Sequence, residues 1–378
     1  MKKQERIGIC TLSTGFNYGS CLQAYAMEQT LRTLGYEPEL YRLSGSRIAD
    51  RDARSGKIFV MKLRSFLHTR NDNGFIGPLP RRSEASLQLF HSFYVNQLKP
   101  ETVSWMELRR RARRPEYTAF LCGSDQVWNA SALYVEPLYY LRFAPKRKRI
   151  AYAPSFGSGE IPSWNRTIMK RWINAIPHRS AREEAGQKLI QTLTGKDAPV
   201  LPDPVFLMTK EEWIQKFQLT PFPGRYCLAC FLNERSEAAE AILNHYRENG
   251  YEIIALPYAL DDPSVTCVDA GPLEFLRLIY GAEAVATDSF HALAFSILFH
   301  RTVYPFSKPG ADASGHPLRL ANLLQHFRMK DCLDSHTAGS EPRSCERIDA
   351  IIEADRQKAF AWLQNTLRSV KRTSSVRR

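Results

Sequence analysis

The chain contains 378 residues, which is enough for two domains because a domain usually holds about 100–200 residues. Hydrophobic residues make up 44% and charged residues 24% of it, an ordinary globular composition that excludes a mainly disordered, collagen-like or disulfide-stapled protein. The net charge of +13 is uneven, since residues 1–190 hold 31 basic and 16 acidic side chains, a net of +15. We therefore expect this half to face something anionic, such as a membrane surface, a nucleic acid or a phosphorylated ligand.

The N-terminal residues, MKKQERIGICTLS, predict a first strand and no signal peptide, because the apolar run is short and lacks a small-residue cleavage site. No stretch reaches the about 18 uncharged apolar residues of a membrane span. The eight cysteines have no framework spacing, so we expect mostly buried, reduced thiols in a cytosolic protein. Cys227 and Cys230 match C-x-x-C inside a predicted strand, where we expect core thiols and no metal site.

Strands alternate with helices along the chain, a pattern typical of parallel sheets covered on both faces. A strand at Arg6–Leu12 precedes a helix at Ser20–Leu34, which has an apolar stripe and ends at Gly35. Residues 44–82 are polar and predict a surface segment with one helix. Further predicted elements are strands at Tyr36–Leu43, Ala119–Cys122 and Ile150–Ala153, and a helix at Trp164–Ala175.

A proline-rich stretch at 199–204 predicts an extended connection between two domains. Thr209 and Glu212 then form a capping box that begins a helix. We predict domains at 1–195 and 196–344, with a helix and basic tail at 345–378. The later elements are strands at Tyr226–Leu232, Tyr251–Leu256, Ala284–Thr287 and Thr302–Phe306, and helices at Ser236–Glu248, Leu273–Tyr280, Phe290–Phe299 and Cys345 to about Val370.

Short polar segments follow several strands, at the sheet edge where parallel α/β proteins bind ligands. In the sharpest of these, Asp288 or Ser289 can cap a helix whose first turn contains His291. Unpaired N–H groups and the helix dipole suit an anion there, and they favour a neutral imidazole that can act as a base. A capping histidine packed against a neighbour would explain the same residues.

A second polar loop, Gly123–Asn129, places the Asp125 carboxylate and the Trp128 indole after a strand. Carboxylate and aromatic ring together are typical of sugar binding, although ordinary turn chemistry also produces this pattern. The basic runs at 109–114 and 146–149 suit an anionic surface or a solvated face. The chain has no P-loop and no G-x-G-x-x-G after its first strand, which argues against ATP hydrolysis and a dinucleotide.

Six further segments form an ordered set along the chain: Gly15–Ala26, Gly123–Asn129, Ala151–Gly157, Ala181–Glu183, Leu201–Leu207 and Thr287–Ala292. In this order they resemble the polysaccharide pyruvyl transferase family. The resemblance implies an α/β, GT-B-like fold, with two Rossmann-like domains whose parallel sheets face across a cleft and a C-terminal helix. It also implies transfer of the enolpyruvyl group of phosphoenolpyruvate onto two hydroxyls of a sugar, giving a cyclic ketal and phosphate.

By this resemblance, His291 would be the acid/base group and Asp125 the acceptor-side base or hydroxyl ligand. Relatives often carry Arg-Leu-His where this chain has Ser289-Phe290-His291, so Lys308 or Arg319 would replace that arginine, or the donor differs. Arg179 is a rival to Arg182. For phosphoenolpyruvate we expect Arg182, Ser289, Phe290, His291, Lys308 and Arg319; for the acceptor we expect Asn17, Tyr18, Gly19, Ser124, Asp125, Gln126, Trp128 and Asn129.

The implied acceptor is a sugar of a bacterial capsule, exopolysaccharide or cell-wall glycan, often lipid-linked, so we expect a cytoplasmic enzyme at the inner face of the cell membrane. The route needs no metal and no cofactor besides its donor substrate. An anionic membrane and a second copy of the chain are further candidate partners, whereas nucleic acid is not expected because no aromatic residues interleave with the arginines at 109–114. The alternative is a nucleotide-sugar glycosyltransferase of the same fold, which would need an acidic ribose ligand such as Glu274 or Asp269.

Overall fold

A computed structural model of the chain describes residues 4–13, 16–44, 83–129, 135–157, 159–256, 265–307, 317–333 and 344–375. The predicted surface segment at 44–82 lies outside these residues, apart from Ser44.

The first part of the described chain forms a parallel sheet whose strands are buried on both faces. Its strands are β1 (Arg6–Cys10), β2 (Glu37–Leu43), β3 (Glu101–Val103), β4 (Tyr117–Cys122), β5 (Arg149–Ala151) and β6 (His178–Arg179). They lie in the order β3-β2-β1-β4-β5-β6, and every pair is parallel. The helices here are α1 (Tyr18–Thr33), α2 (Glu84–Phe93), α3 (Trp105–Arg111), α4 (Ser163–Asn174) and α5 (Glu184–Thr194).

A second parallel sheet follows, with the order β11-β10-β7-β8-β9. Its strands are β7 (Tyr226–Cys230), β8 (Glu252–Ala255), β9 (Thr266–Cys267), β10 (Ala284–Thr287) and β11 (Thr302–Pro305). The helices are α6 (Lys210–Phe217), α7 (Glu237–Glu248), α8 (Pro272–Gly281), α9 (Phe290–Leu298), α10 (Pro317–His326) and α11 (Cys345–Ser375).

Local chemistry explains where the helices begin and end. The Asn17 side chain caps α1 by accepting from Ser20 N at 3.1 Å, and Gly35 follows the helix with a φ of 84° that favours glycine. The Thr209–Glu212 capping box forms as predicted. The predicted strands and helices within the described residues appear with ends shifted by one or two positions, except that α11 runs on to Ser375.

The two sheets share one continuous apolar core, because α1 and α2 pack against helices of the second half. The Tyr18 ring of α1 is stacked between Phe90 of α2 at 5.1 Å and Phe275 of α8 at 4.8 Å. Ser86 of α2 also accepts a hydrogen bond from Ala270 N at 3.1 Å, just before α8. The two halves therefore face each other through a packed contact.

The last helix, α11, crosses from the second half back to the first. Near its middle, Arg356 Nε donates to Leu207 O at 2.9 Å, and the Trp362 ring lies 6.1 Å from Tyr152, which follows β5. Near its end, Lys371 pairs with Glu5 beside β1. Two parallel-sheet domains joined by a returning C-terminal helix are the GT-B-like architecture that the resemblance implied.

Candidate active site

The candidate site lies where loops at the carboxyl ends of the strands meet, the position expected for ligands in parallel α/β sheets. From the first sheet come the start of α1 after β1, the loop Gly123–Asn129 after β4, and Arg182 and Glu183 after β6. From the second come the start of α9 after β10, and Arg319 on α10. Asp203 joins them from the stretch that links the two halves.

Arg182 is a buried guanidinium held by two carboxylates. Its Nη1 donates to Asp203 Oδ2 at 2.9 Å and its Nε donates to Glu183 Oε2 at 3.3 Å, while the Phe290 ring packs on its face at 4.1 Å. Burial disfavours the charge, but Glu183 and Asp203 more than compensate and raise the pKa of Arg182. Its Nη2 is buried and has no hydrogen-bond partner within the described part of the chain.

Glu183 is itself held in place by hydrogen bonds from the loop after β5, and it in turn orients the Arg182 side chain. Its Oε1 accepts from the Ser155 hydroxyl at 2.7 Å and from Phe156 N at 3.3 Å, both on the loop after β5. Its Oε2 is then left for Arg182. The loops after β5 and β6 therefore form one hydrogen-bonded unit.

Asp203 is a fully buried carboxylate at the centre of the site, with a side chain that is 0% exposed. Its Oδ2 accepts from Ser124 Oγ at 2.9 Å and Arg182 Nη1 at 2.9 Å, and its Oδ1 accepts from Val205 N at 3.2 Å. Burial alone would favour the neutral acid, but His291, Arg182 and the Val205 N–H together hold the pKa of Asp203 well below its usual range.

His291 lies in the first turn of α9, as predicted, and is 7% exposed. Its Nε2 is 3.7 Å from Asp203 Oδ2 and has no hydrogen-bond partner among the described residues. The Cγ and Nδ1 atoms of the ring lie against Gly19 of α1. A Cβ added at Gly19 would come within 2.0 Å of both of these atoms. Only glycine lets the start of α1 approach the histidine so closely.

Arg319 projects from α10 into the same buried region. Burial, together with the charge of nearby Arg182, lowers the pKa of Arg319 to about 10. With the Gln126 amide turned so that its oxygen faces the guanidinium, that oxygen accepts from Nη1 at 2.5 Å and Nη2 at 2.8 Å. The Nε of Arg319 has no partner in the described residues. Arg319 therefore places a second guanidinium near Arg182, whereas Lys308 lies outside the described residues.

Asp125 ties the loop after β4 to the start of α1. Its Oδ2 accepts from the Ser20 hydroxyl and its Oδ1 accepts from Gln126 N at 2.8 Å. Asn129 lies next to Gln126, with its amide nitrogen 3.0 Å from Gln126 Oε1 in the other orientation of that amide. The predicted acceptor residues Asp125, Gln126 and Asn129 are thus brought together, and exposed Asn17 serves as the cap of α1.

Three other predicted contacts have structural roles that change their interpretation. Trp128 is 0% exposed, donates to Tyr139 O at 3.0 Å and stacks on Tyr140, so no face of its ring is open to a sugar. Tyr18 is buried between the aromatic rings that join the two halves. Ser289 caps α9, and its own N–H donates to Thr287 Oγ1 at 2.9 Å, so that amide is not available to an anion.

The alternatives left open by the sequence are also placed by the structure. Arg179 lies in β6 and donates to Ile173 O at 3.2 Å, away from the Asp203 carboxylate that Arg182 reaches. Asp288 does not cap α9, because it accepts from Leu232 N and Asn233 Nδ2, both at 2.6 Å.

The two acidic side chains considered as ribose ligands both have local partners. Glu274 Oε2 accepts from Gly271 N at 3.0 Å, which caps α8. Asp269 accepts from Ser83 and Ser86 at the start of α2. Each carboxylate therefore has a structural partner within the second half or at its contact with α2.

The basic runs lie at the edge of the first sheet opposite the site. Residues 113–114 precede β4 and 146–148 precede β5, whereas the site follows the other ends of these strands. Several of the side chains serve the fold: Arg111 pairs with Glu107 at 3.0 Å, and Lys148 donates to Arg114 O at 3.0 Å. Only the exposed members of these basic runs therefore remain available for contact with an anionic surface.

The cysteines support the expectation of buried thiols. Six of the eight are buried, including Cys227 and Cys230 in β7, and Cys267 and Cys345 are exposed. Across the described ranges, no group of side chains is arranged to hold a metal ion. Among the helices in those ranges, none combines the length and apolar character needed to cross a bilayer.

Sequence reasoning missed the residues that hold the site together, namely Asp203, Glu183, Ser155 and Ser20. The signal for Asp203 was present, because the family-like segment Leu201–Leu207 contains a single carboxylate between two prolines. That stretch was interpreted as a connection between domains, and nothing local indicated that its carboxylate would be buried against Arg182.

The fold is a two-domain α/β architecture in which buried arginine, histidine and carboxylate side chains meet at the carboxyl ends of the strands. The sequence profile of the polysaccharide pyruvyl transferase family matches residues 17–307, and the chain belongs to that family. It is therefore a transferase of polysaccharide biosynthesis, with a sugar acceptor and a pyruvyl donor. No curated protein matches the chain.

Solved structures similar to this chain share low sequence identity with it. A UDP-GlcNAc 2-epimerase from Neisseria meningitidis bound to UDP-GlcNAc is 10% identical with a TM-score of 0.43, covering 97% of this chain and 94% of that one. The glycosyltransferase SnogD from Streptomyces nogalater is 12% identical with a TM-score of 0.41, covering 99% and 100%. The UDP-GlcNAc 2-epimerase from Methanocaldococcus jannaschii is 12% identical with a TM-score of 0.44, covering 92% of each chain.

Proposed function

We propose that the protein is a ketal pyruvyl transferase that moves the enolpyruvyl group of phosphoenolpyruvate onto two hydroxyls of a sugar and releases phosphate. The acceptor class is a bacterial polysaccharide or a lipid-linked glycan precursor. The observation that carries this proposal is a set of three buried side chains with unpaired N–H or ring-nitrogen atoms. We call Arg182, Arg319 and His291 the donor cluster.

The donor cluster suits a small ligand with two anionic groups. Arg182 lies close enough to Arg319 to lower the pKa of Arg319, so the two guanidinium groups can bind the same ligand. Phosphoenolpyruvate carries both a phosphate and a carboxylate, and arginine binds each of these groups through paired N–H donors. The unpaired Arg182 Nη2 and Arg319 Nε are available for this purpose.

The reaction requires three proton transfers, one to C3 of the donor and one from each of the two sugar hydroxyls. A proton added to C3 of phosphoenolpyruvate makes C2 electrophilic, and the first sugar hydroxyl forms a C2–O bond while losing its proton. The second hydroxyl then displaces phosphate from C2, and its proton leaves with the phosphate. We assign the acid/base role beside the donor to His291, and the acceptor-side role to Asp125.

The binding half of the proposal is tested by calorimetry with phosphoenolpyruvate. We expect Arg319→Gln and Arg182→Lys to weaken binding at least about tenfold, since each removes charge-assisted hydrogen bonds worth about 1.5–3 kcal/mol. Arg147→Gln is the matched control, because Arg147 is exposed at the opposite edge of the sheet. Equal affinity in all three variants would remove the donor cluster from the donor site.

Membrane association belongs to the same proposal. A lipid-linked acceptor would bring the enzyme to the inner face of the cell membrane, and the net charge of +15 in residues 1–190 supports contact with anionic lipids. The exposed members of the basic runs lie opposite the site, so such contact would require the acceptor glycan to reach around the first domain.

A further inference from the structure

The Asp203 carboxylate lies beside two members of the donor cluster, Arg182 and His291. A single oxygen, Oδ2, receives Ser124 Oγ and Arg182 Nη1 at 2.9 Å each, and it lies 3.7 Å from His291 Nε2. The carboxylate is 0% exposed, so water does not share these contacts. A substitution at Asp203 would therefore change the surroundings of both Arg182 and His291.

The geometry decides which ring nitrogen of His291 holds the proton of the neutral imidazole. An ionised carboxylate accepts hydrogen bonds only, so the nitrogen facing it is the one that bears hydrogen. Nε2 faces Asp203, and the distance of 3.7 Å becomes a hydrogen bond with a shift of less than about 1 Å. In apo structures such contacts are often long and tighten when substrate binds.

We propose that Asp203 is a positioning residue that fixes His291 as the Nε2–H tautomer and holds Arg182 in the same site. The inference rests on the proposed function in that His291 is the residue given the acid/base role there.

The test is the tautomer of His291 seen by nuclear magnetic resonance, with ¹⁵N-labelled histidine at a pH where the ring is neutral. The His291→Gln variant identifies the signal among the nine histidines. We expect Nε2–H in the wild type. Asp203→Ala removes the oxygen that faces Nε2, so the Nε2–H form loses its acceptor and we expect the Nδ1–H form to appear.

Glu183→Gln is the matched control, because Glu183 also holds Arg182 but has no contact with His291. We expect that variant to keep the wild-type tautomer. In assays of turnover, Asp203→Ala should lower kcat by about 10²–10⁴-fold, the range for loss of a correctly held acid/base histidine.

The outcomes separate this inference from the proposed function. An Nδ1–H tautomer in the wild type, or an unchanged tautomer in Asp203→Ala, overturns the positioning role whatever the enzyme's substrate. If Asp203→Ala does not fold, the wild-type spectrum alone still decides. The protein could show an Nε2–H tautomer that depends on Asp203 and yet fail to bind phosphoenolpyruvate. That result would support the positioning role and contradict the proposed donor.

Discussion

Replacing Gly19 by alanine tests the contact between α1 and His291. Helix propensity alone predicts that alanine stabilises a helical position by up to about 1 kcal/mol relative to glycine. The structure predicts the opposite, because the new Cβ would lie 2.0 Å from His291 Cγ and Nδ1 and 2.6 Å from its Cβ. Ordinary contacts begin near 3.4 Å, so the ring or the start of α1 must move by more than about 1 Å.

Overpacking of this kind costs about 1–3 kcal/mol in the free energy of unfolding, and a displacement of about 1 Å at a catalytic group costs about 10²-fold in rate. We expect Gly19→Ala to lose stability in urea denaturation and to lose turnover by about that factor. Thr33→Ala, at the exposed end of the same helix, is the control and should change neither. A Gly19→Ala protein that is more stable than the wild type and fully active would refute the described approach of α1 to His291.

Three further predictions concern the site, a buried acid and the basic surface. His291→Ala should lower turnover by about 10²–10⁴-fold without unfolding the chain, and a turnover equal to that of the wild type would remove His291 from the mechanism. Burial, with a smaller contribution from Glu37, raises the pKa of Glu28 from 4.5 to about 8, so the folded state favours the neutral acid. The stability that the neutral acid contributes is full below pH 4.5 and is lost as the pH rises through 8. In urea denaturation, the free energy of unfolding should fall by about 1.4 kcal/mol per pH unit in this range, and the slope should flatten in Glu28→Gln. Equal slopes in the two proteins would contradict this. Changing exposed Arg113 and Arg147 to glutamine should weaken binding to anionic vesicles without changing turnover on a soluble acceptor, whereas unchanged vesicle binding would assign these residues to a solvated surface.

The fold was largely predictable because its elements carry local signals. Apolar periodicity, the cap at Thr209 and the stop at Gly35 each specify a boundary within a few residues. The elements that escaped prediction lack such signals. The strand β6 (His178–Arg179) is a short edge strand with charged residues, so it does not show the apolar run of a central strand.

The site was predictable only in part, because its geometry depends on contacts between distant segments. His291, Arg182 and Asp125 each follow a strand, and that position together with the family resemblance suggested them. Asp203 follows no strand, and its role arises from a contact with Arg182, 21 positions earlier in the chain. The prediction of Trp128 as a sugar contact was wrong, because a motif does not reveal which side of a loop faces the core. The Trp128 indole packs inward against Tyr140.

The central claim, that the donor cluster binds phosphoenolpyruvate, is tested most directly by a thermal-shift comparison of this ligand with UDP-, GDP- and CMP-sugars. A ligand that binds only the folded state raises the unfolding midpoint by mass action. We predict a rise with phosphoenolpyruvate alone, which is reduced in Arg319→Gln and retained in Arg147→Gln. A rise with a nucleotide sugar and none with phosphoenolpyruvate would contradict the claim and assign the cleft to glycosyl transfer.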